Sequence, residues 1–186
     1  KIFIGGAWKA TSETLSVSNP YNNEPVGVTY LASEQDVEAA ISSAVSAFKE
    51  MRTLPAYKRA FALLHIANGL KDQREEIATM ITLESGKPIV DACIEVDRAV
   101  NTFQIASEEA KRIGGACIPL DLMPGSEGRW GFTRRVPIGP ILGISPFNFP
   151  LNLVAHKIAP AIAAGNTMIL KPAPKTPLTA LLLAKI

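Results

Sequence analysis

The chain has 186 residues, 47% apolar and 19% charged, so it carries enough apolar side chains for one substantial core and is not a disordered segment. Its 19 basic and 17 acidic residues leave a net charge of +2 without a basic run, which argues against nucleic acid as a partner. The longest apolar stretch, 158–169, is interrupted and too short for a membrane span of ~20 residues. No signal-peptide pattern opens the chain and two cysteines make no disulfide framework, so we expect a cytoplasmic protein.

Residues 1–115 predict a short β-meander followed by four helices. Ser33 and Asp36 form a capping-box signature, because a serine hydroxyl and an acid three positions later each bond the other's backbone amide at a helix start. Pro88 is typical of a first helical turn, and Gly86 of the end of the helix before it. The apolar stripes are Val37-Ile41-Val45-Phe48, Phe61-Leu64-Ala67-Leu70, Ile77-Met80-Ile81 and Ile89-Cys93-Val96-Val100-Phe103.

The periodicity changes after residue 115. A turn at 125–128 and alternating residues from Trp130 onward predict a β-hairpin over 116–137. We therefore divide the chain into three segments: 1–115, 116–137 and 138–186.

The last segment predicts a β-α-β-α unit. The run 138–144 contains no polar residue, which is typical of a parallel strand covered on both faces. A helix over 151–164 and a second strand over 167–170 follow, and a further helical stripe begins at Leu178. This alternation predicts an α/β protein with a parallel sheet.

Asn148 and Lys171 each follow directly on a predicted parallel strand. Ligands of open α/β sheets bind outside the carboxyl ends of the strands, so both residues are candidates for a site. The Asn148 amide is the type of donor that stabilises an oxyanion on a carbonyl carbon, with Phe147 and Phe149 to fix it and exclude water. The alternatives are that Asn148 bonds backbone in a tight turn and that Lys171 is a solvated surface lysine.

A series of motifs in a fixed order resembles the NAD(P)-dependent aldehyde dehydrogenase superfamily. The motifs are SNP from Ser18, ESGKP from Glu84, DRA from Asp97, ASEEA from Ala106, VPIG from Val136, ISPFNFP from Ile144, KIAPAIAAGN from Lys157, KPA from Lys171 and TP from Thr176. They extend over essentially the whole chain. The resemblance implies the amino-terminal part of a Rossmann-type cofactor domain, in which 1–115 forms the meander and helical part, 116–137 a bridging hairpin, and 138–186 the start of the dinucleotide-binding sheet.

The resemblance also implies roles for individual residues. Asn148 is by resemblance the side-chain half of the oxyanion hole for a thiohemiacetal, which forms when a cysteine attacks an aldehyde. Lys157 matches a lysine linked to proton relay, with a helix lysine that extends to water as the alternative. Lys171 matches the lysine whose ammonium meets the adenosine ribose. The backbone along the dinucleotide is expected at Ile144, Ser145, Pro146 and Phe147.

The residues after Lys171 bear on the choice of cofactor, which we expect to be NADP or NAD. In NAD-preferring members a glutamate commonly stands where this chain has Pro174, next to Ala173. Proline offers no acceptor for ribose hydroxyls and no negative charge against a 2′-phosphate, and Lys175 carries a charge that pairs with such a phosphate. We therefore expect NADP to be accepted, unless Lys175 points into solvent and other residues decide.

Arg98 is the single indication of the substrate, which the resemblance makes a small aldehyde. The run from Glu95 to Ala99 resembles branches that act on lactaldehyde or oxidise glyceraldehyde-3-phosphate without phosphorylation, where an arginine meets an anionic substrate. The alternative is a surface arginine paired with an acid on the same helix. The resemblance further implies a homo-oligomer, a dimer or a tetramer.

The nucleophilic cysteine and the general base of this chemistry find no match in the chain. Cys93 lies on an apolar stripe and Cys117 precedes a hairpin, and we interpret both, like His65 and His156, as structural. This inventory builds no metal site. We therefore expect a truncated piece of a longer oxidoreductase, inactive alone. The alternative is a natural short chain that binds a nucleotide or a protein without catalysis.

Overall fold

The computed structural model describes residues 1–186 and contains six α-helices and four two-stranded sheets. The strands are β1 (Ile2–Ile4), β2 (Ala7–Lys9), β3 (Thr14–Ser18), β4 (Pro25–Tyr30), β5 (Cys117–Pro119), β6 (Trp130–Phe132), β7 (Ile141–Ile144) and β8 (Met168–Lys171). The helices are α1 (Glu34–Met51), α2 (Ala56–Asp72), α3 (Arg74–Ser85), α4 (Ile89–Ala110), α5 (Asn152–Ala163) and α6 (Leu178–Leu183). Three antiparallel pairs, β1–β2, β3–β4 and β5–β6, precede one parallel pair, β7–β8.

A helical layer forms the core. Helix α4 packs against α2, α3 and α5, and its Val96 and Phe103 are completely buried. They belong to one cluster of buried apolar side chains that also contains Leu63 and Leu70 of α2 and Leu151 at the start of α5. Burial of such side chains is the main stabilising term in folding. Helix α5 packs in this core and also contacts β7 and β8. The core therefore determines the position of the parallel strands relative to the helices.

The predicted helix start and stop signals are confirmed. Ser33 Oγ accepts from the Asp36 amide, and the Asp36 carboxylate accepts from the Ser33 amide, so the capping box closes at the start of α1. Hydrogen bonds from Lys9 and from Ser33 lower the pKa of Asp36 to about 2. Gly86 ends α3 with a φ of 72°, a left-handed conformation that glycine adopts without steric cost.

The predicted apolar stripe of α1 is largely exposed, and that of α2 is buried only at Ala67 and Leu70. On α1, Val37, Ile41 and Val45 face solvent while Ala44 is buried. On α2, Phe61 is exposed and the core-facing positions lie one residue earlier, at Ala60 and Leu63, together with Ala67 and Leu70. Periodicity identified both helices but not the face that meets the core, because neighbouring stripes on each helix are both apolar.

The β-α-β-α unit is confirmed, with β7 and β8 paired in parallel from Ile141 opposite Met168 to Ile144 opposite Lys171. The expectation that β7 is covered on both faces is wrong for this chain. Gly143 is buried, but Leu142 and Ile144 are 63% and 58% exposed. Alternate residues of a strand point to opposite faces, and α5 covers only the face of Gly143.

The hairpin is shorter than its sequence pattern. Cys117–Pro119 pairs with Trp130–Phe132, and residues 133–137 leave the strand. Both large apolar side chains of β6 are exposed, Phe132 at 80%. None of the six helices is both long enough and apolar enough to cross a membrane.

Candidate functional site

The turn between β7 and α5 presents Asn148 to solvent. The Asn148 side chain makes no hydrogen bond within the chain, while its backbone carbonyl accepts one from Lys87 Nζ at 3.2 Å. The alternative in which this side chain bonds backbone to close a tight turn is therefore wrong. Both hydrogens of the Asn148 amide are available to a ligand.

Two residues from the α3–α4 region hold this turn. Lys87 lies in the loop between these helices, and Glu95 lies on α4 with 2% of its surface exposed. Oε1 of Glu95 accepts from the backbone amides of Leu151 at 2.9 Å and Asn152 at 3.0 Å, which begin α5. Oε2 of Glu95 pairs with the Lys87 ammonium. One buried carboxylate thus joins α4, the α3–α4 loop and the start of α5.

Two cations lie over the ring of Phe149, the residue after Asn148. Lys87 Nζ is 4.0 Å from the ring centroid, and Arg98 Cζ is 5.9 Å from it. Both distances fall within the range of a cation–π contact. The Phe149 ring therefore contacts both Lys87 and Arg98, and it places the Arg98 guanidinium close to the Asn148 turn.

Arg98 is exposed and forms no ion pair. Its neighbour Asp97 pairs instead with Arg74, whose Nε and Nη2 donate to the two carboxylate oxygens at 2.7 and 2.9 Å. Those hydrogen bonds hold the pKa of Asp97 below its usual value. The alternative in which Arg98 is paired with an acid on its own helix is therefore wrong, and its guanidinium is available beside the Asn148 turn.

The predicted cofactor residues converge at the carboxyl ends of β7 and β8. The Ser145 amide donates to the Lys171 carbonyl at 3.1 Å, and Lys175 Nζ is 5.2 Å from the centroid of Phe147. Lys171 and Lys175 are exposed, and neither ammonium has an acidic partner. Of the other predicted contacts, Ile144, Pro146 and Pro174 are exposed and Ala173 is buried.

Lys157 lies elsewhere. Its stem packs beneath the strand, since a Cβ on Gly143 would lie 3.5 Å from Lys157 Cδ. The side chain lines a shallow groove beside β7 together with Asn166 and Met168, and it makes no hydrogen bond or ion pair. No contact joins Lys157 to Asn148, so its role in proton relay stays a prediction.

A second buried glutamate repeats the arrangement at the next helix. Glu84, 3% exposed at the end of α3, accepts from the amides of Leu178 at 2.7 Å and Thr179 at 3.0 Å, where α6 begins. Burial raises the pKa of the Glu84 carboxyl, and the hydrogen bonds from Thr179 and Leu178 oppose that shift. In each helix that follows a parallel strand, the first backbone amides thus donate to a buried carboxylate.

The sequence interpretation assigned no role to Lys87, Glu95 or Glu84. A signal for the two glutamates was present, because each occupies the apolar face of its helix: Glu84 continues the buried positions Ile77 and Ile81. A charged residue on a core-facing position needs a partner, and an uncapped helix start supplies backbone amides as partners. Lys87 had no such signal, because the loop that carries it is polar.

The comparisons with known proteins agree with the fold. The model of the "Aldehyde dehydrogenase family" matches residues 8–186. The chain belongs to the aldehyde dehydrogenase family, which confirms the resemblance seen in the motifs.

Three relatives are informative. A 3-sulfolactaldehyde dehydrogenase of Priestia aryabhattai is 43% identical over 100% of this chain and 38% of its own length. The structure of aldehyde dehydrogenase 21 from Physcomitrella patens, in complex with the reaction product succinate, aligns with a TM-score of 0.95 and 44% identity over 99% of this chain and 38% of that one. The glyceraldehyde-3-phosphate dehydrogenase GapN of Methanocaldococcus jannaschii, complexed with NADP, aligns with a TM-score of 0.87 and 41% identity over 92% of this chain and 36% of that one. The chain therefore spans well under half the length of the relatives it matches.

Proposed function

We propose that this chain forms the amino-terminal part of a longer aldehyde dehydrogenase, which oxidises an aldehyde to a carboxylic acid through a cysteine thiohemiacetal. The observation that carries the proposal is the unbonded amide of Asn148 on a turn whose backbone is held by Lys87 and Glu95. A fixed neutral donor is what an oxyanion hole requires, because it stabilises charge that appears only as the carbonyl is attacked. The nucleophile and the base belong to the remainder of the enzyme.

The two cysteines of the chain have other roles in this proposal. Cys93 packs against the core cluster from α4, and Cys117 lies in the exposed hairpin. Both are free thiols, which fits a reducing cytoplasmic location. We assign the hairpin of residues 116–137 to subunit contacts in a homo-oligomer, because its strand β6 exposes Trp130 and Phe132.

The residues at the ends of β7 and β8 fit a dinucleotide. The exposed ammonium groups of Lys171 and Lys175 have no acidic partners, and they lie beside the backbone of Ser145–Phe147 at the edge where α/β proteins bind nucleotides. NAD(P), when bound, supplies the hydride acceptor. In this proposal Lys171 bonds the ribose hydroxyls, and Lys175 is placed for a 2′-phosphate. The segments of the chain keep the boundaries 1–115, 116–137 and 138–186 in the proposal.

The three relatives described above share one substrate property. Their names or complexes contain a sulfonate, a carboxylate and a phosphate, all of which are anions at neutral pH. Arg98 is a free guanidinium beside the Asn148 turn, and guanidinium groups bind each of these anions through paired hydrogen bonds. We therefore assign Arg98 to the anionic end of the substrate.

Replacing Asn148 by Ala in the full-length protein should lower kcat by ~10²–10³-fold, because one oxyanion donor is lost. The Kd for the cofactor should stay unchanged. Asn148→Asp, which keeps the side-chain shape but removes the amide donor, should lose as much. Steady-state assays of NAD(P)H formation and cofactor titrations measure both quantities. A folded Asn148→Ala protein with wild-type kcat would contradict the role given to Asn148.

Replacing Arg98 by Ala should raise KM by roughly 10-fold or more for anionic aldehydes, since a hydrogen bond between charged groups is lost. KM for an uncharged aldehyde should not change. Arg74→Ala is the matched control, because the Arg74 guanidinium already pairs with Asp97. This variant should leave KM unchanged for both kinds of aldehyde. Assays with succinic semialdehyde, glyceraldehyde 3-phosphate and propionaldehyde separate the cases. An equal rise in KM for all three aldehydes would show that Arg98 does not recognise the anionic group of the substrate.

Replacing Pro174 by Glu should lower the ratio of kcat/KM for NADP to that for NAD by about 10-fold or more, because a carboxylate beside a 2′-phosphate places like charges in contact. Pro174→Gln has a similar size without the charge and should leave the ratio near that of the wild type. Initial-rate assays with both cofactors give the ratio. If the wild type already rejects NADP, or if Glu and Gln act alike, Pro174 does not control the choice.

A further inference from the structure

We infer that Lys87 and Glu95 form a positioning device for catalysis, which sets the direction of the Asn148 amide toward the reacting carbonyl oxygen. The inference rests on the proposed function and extends it to two residues outside the turn. Its basis is the pairing of the two side chains with each other and their hydrogen bonds to the backbone of Asn148, Leu151 and Asn152.

The direction of the Asn148 amide depends on how the backbone of the turn is held. The Asn148 side chain has no hydrogen bond of its own, so the direction of its Cα–Cβ bond depends on the backbone alone. Lys87 bonds the carbonyl of Asn148 itself, and Glu95 bonds the amides of Leu151 and Asn152. The turn is therefore held at Asn148 and again three residues later, which restricts rotation of the segment between these points.

The charges of Lys87 and Glu95 stabilise each other. A carboxylate as buried as Glu95 is costly unless it is paired and hydrogen-bonded, and here two amides and one ammonium satisfy it. The Lys87 ammonium, with 14% of its side chain exposed, depends on the same pair. Because the two charges stabilise each other, Lys87 and Glu95 keep their positions. The backbone of the turn, which is bonded to both side chains, is held in place with them.

The contacts of the Lys87 ammonium favour a positioning role over direct catalysis. An ammonium has three hydrogens. In Lys87 the group is bonded to Glu95 and to the Asn148 carbonyl, and it lies against the face of Phe149. All three directions are occupied by the protein, so Lys87 has no proton directed at a substrate. It acts through Asn148.

The test uses the full-length protein with Lys87→Met, Lys87→Arg and Glu95→Gln. Lys87→Met should lower kcat by up to about 100-fold, the loss that follows a misplacement of about 1 Å. The Kd for NADP should not change. Lys87→Arg should recover part of the loss, because it keeps the cation. Glu95→Gln retains an oxygen for the α5 amides but not the charge, so it should lower kcat in the same direction.

Two further measurements separate positioning from a purely structural role. In an Asn148→Ala background, Lys87→Met should have little further effect on kcat, since residues that act through one group are not additive. Asp36→Asn is the matched control, because Asp36 is an equally buried carboxylate that also pairs with a lysine, Lys9, but begins α1 instead of α5. It should change the melting temperature but leave kcat unchanged.

The outcomes are distinguishable. Wild-type protein that reduces neither NAD nor NADP with any aldehyde would overturn the proposed function and this inference with it. If Asn148→Ala lowers kcat but Lys87→Met lowers it by the same factor in both backgrounds, the inference alone is overturned. If Lys87→Met does not fold, the same cycle with Glu95→Gln decides, and an additive result there also overturns the inference.

Discussion

The buried carboxylate of Glu95 is the interaction on which the candidate site depends. It brings a helix of the core, the loop that carries Lys87 and the first turn of α5 to one point, and all of its partners lie within the same small region. An uncompensated charge in that position would destabilise the fold, so the partners cannot separate without cost. In the proposed function, the contacts that position Asn148 for catalysis are therefore the same contacts that join α4 to the start of α5.

A second buried glutamate, Glu84, accepts from the first amides of α6, as Glu95 does at the start of α5. In many α/β proteins the free amides at a helix N-terminus bind the phosphates of a dinucleotide. Here the helices that follow β7 and β8 both begin on carboxylates, so their first amides are engaged and their positive ends are neutralised. In the proposed function, the exposed lysines Lys171 and Lys175 supply the positive charge that a cofactor phosphate at this edge needs.

Signals from residues that are neighbours in sequence predicted much of this structure. Features that depend on burial or on pairing between residues far apart in sequence could not be predicted in this way. The capping box at Ser33, the stop at Gly86 and the β-α-β-α order after residue 137 depend on neighbouring residues, and the structure confirms them. Coverage of β7 could not be predicted, because a run of apolar residues has the same appearance whether one or both faces are packed. The turn residue Asn148 was identified by its place after a strand. The contacts that hold it join positions more than 50 residues apart, and no local pattern encodes such a pairing.

The most direct test of the account is a crystal structure of the full-length protein with an aldehyde bound covalently to its nucleophilic cysteine and with cofactor present. The account predicts that Asn148 Nδ2 lies about 2.7–3.1 Å from the oxygen of the adduct, the distance expected of an oxyanion donor. It also predicts that Lys87 remains bonded to the Asn148 carbonyl and to Glu95. An adduct oxygen more than about 3.5 Å from Asn148 Nδ2, beyond hydrogen-bonding distance, would contradict the account.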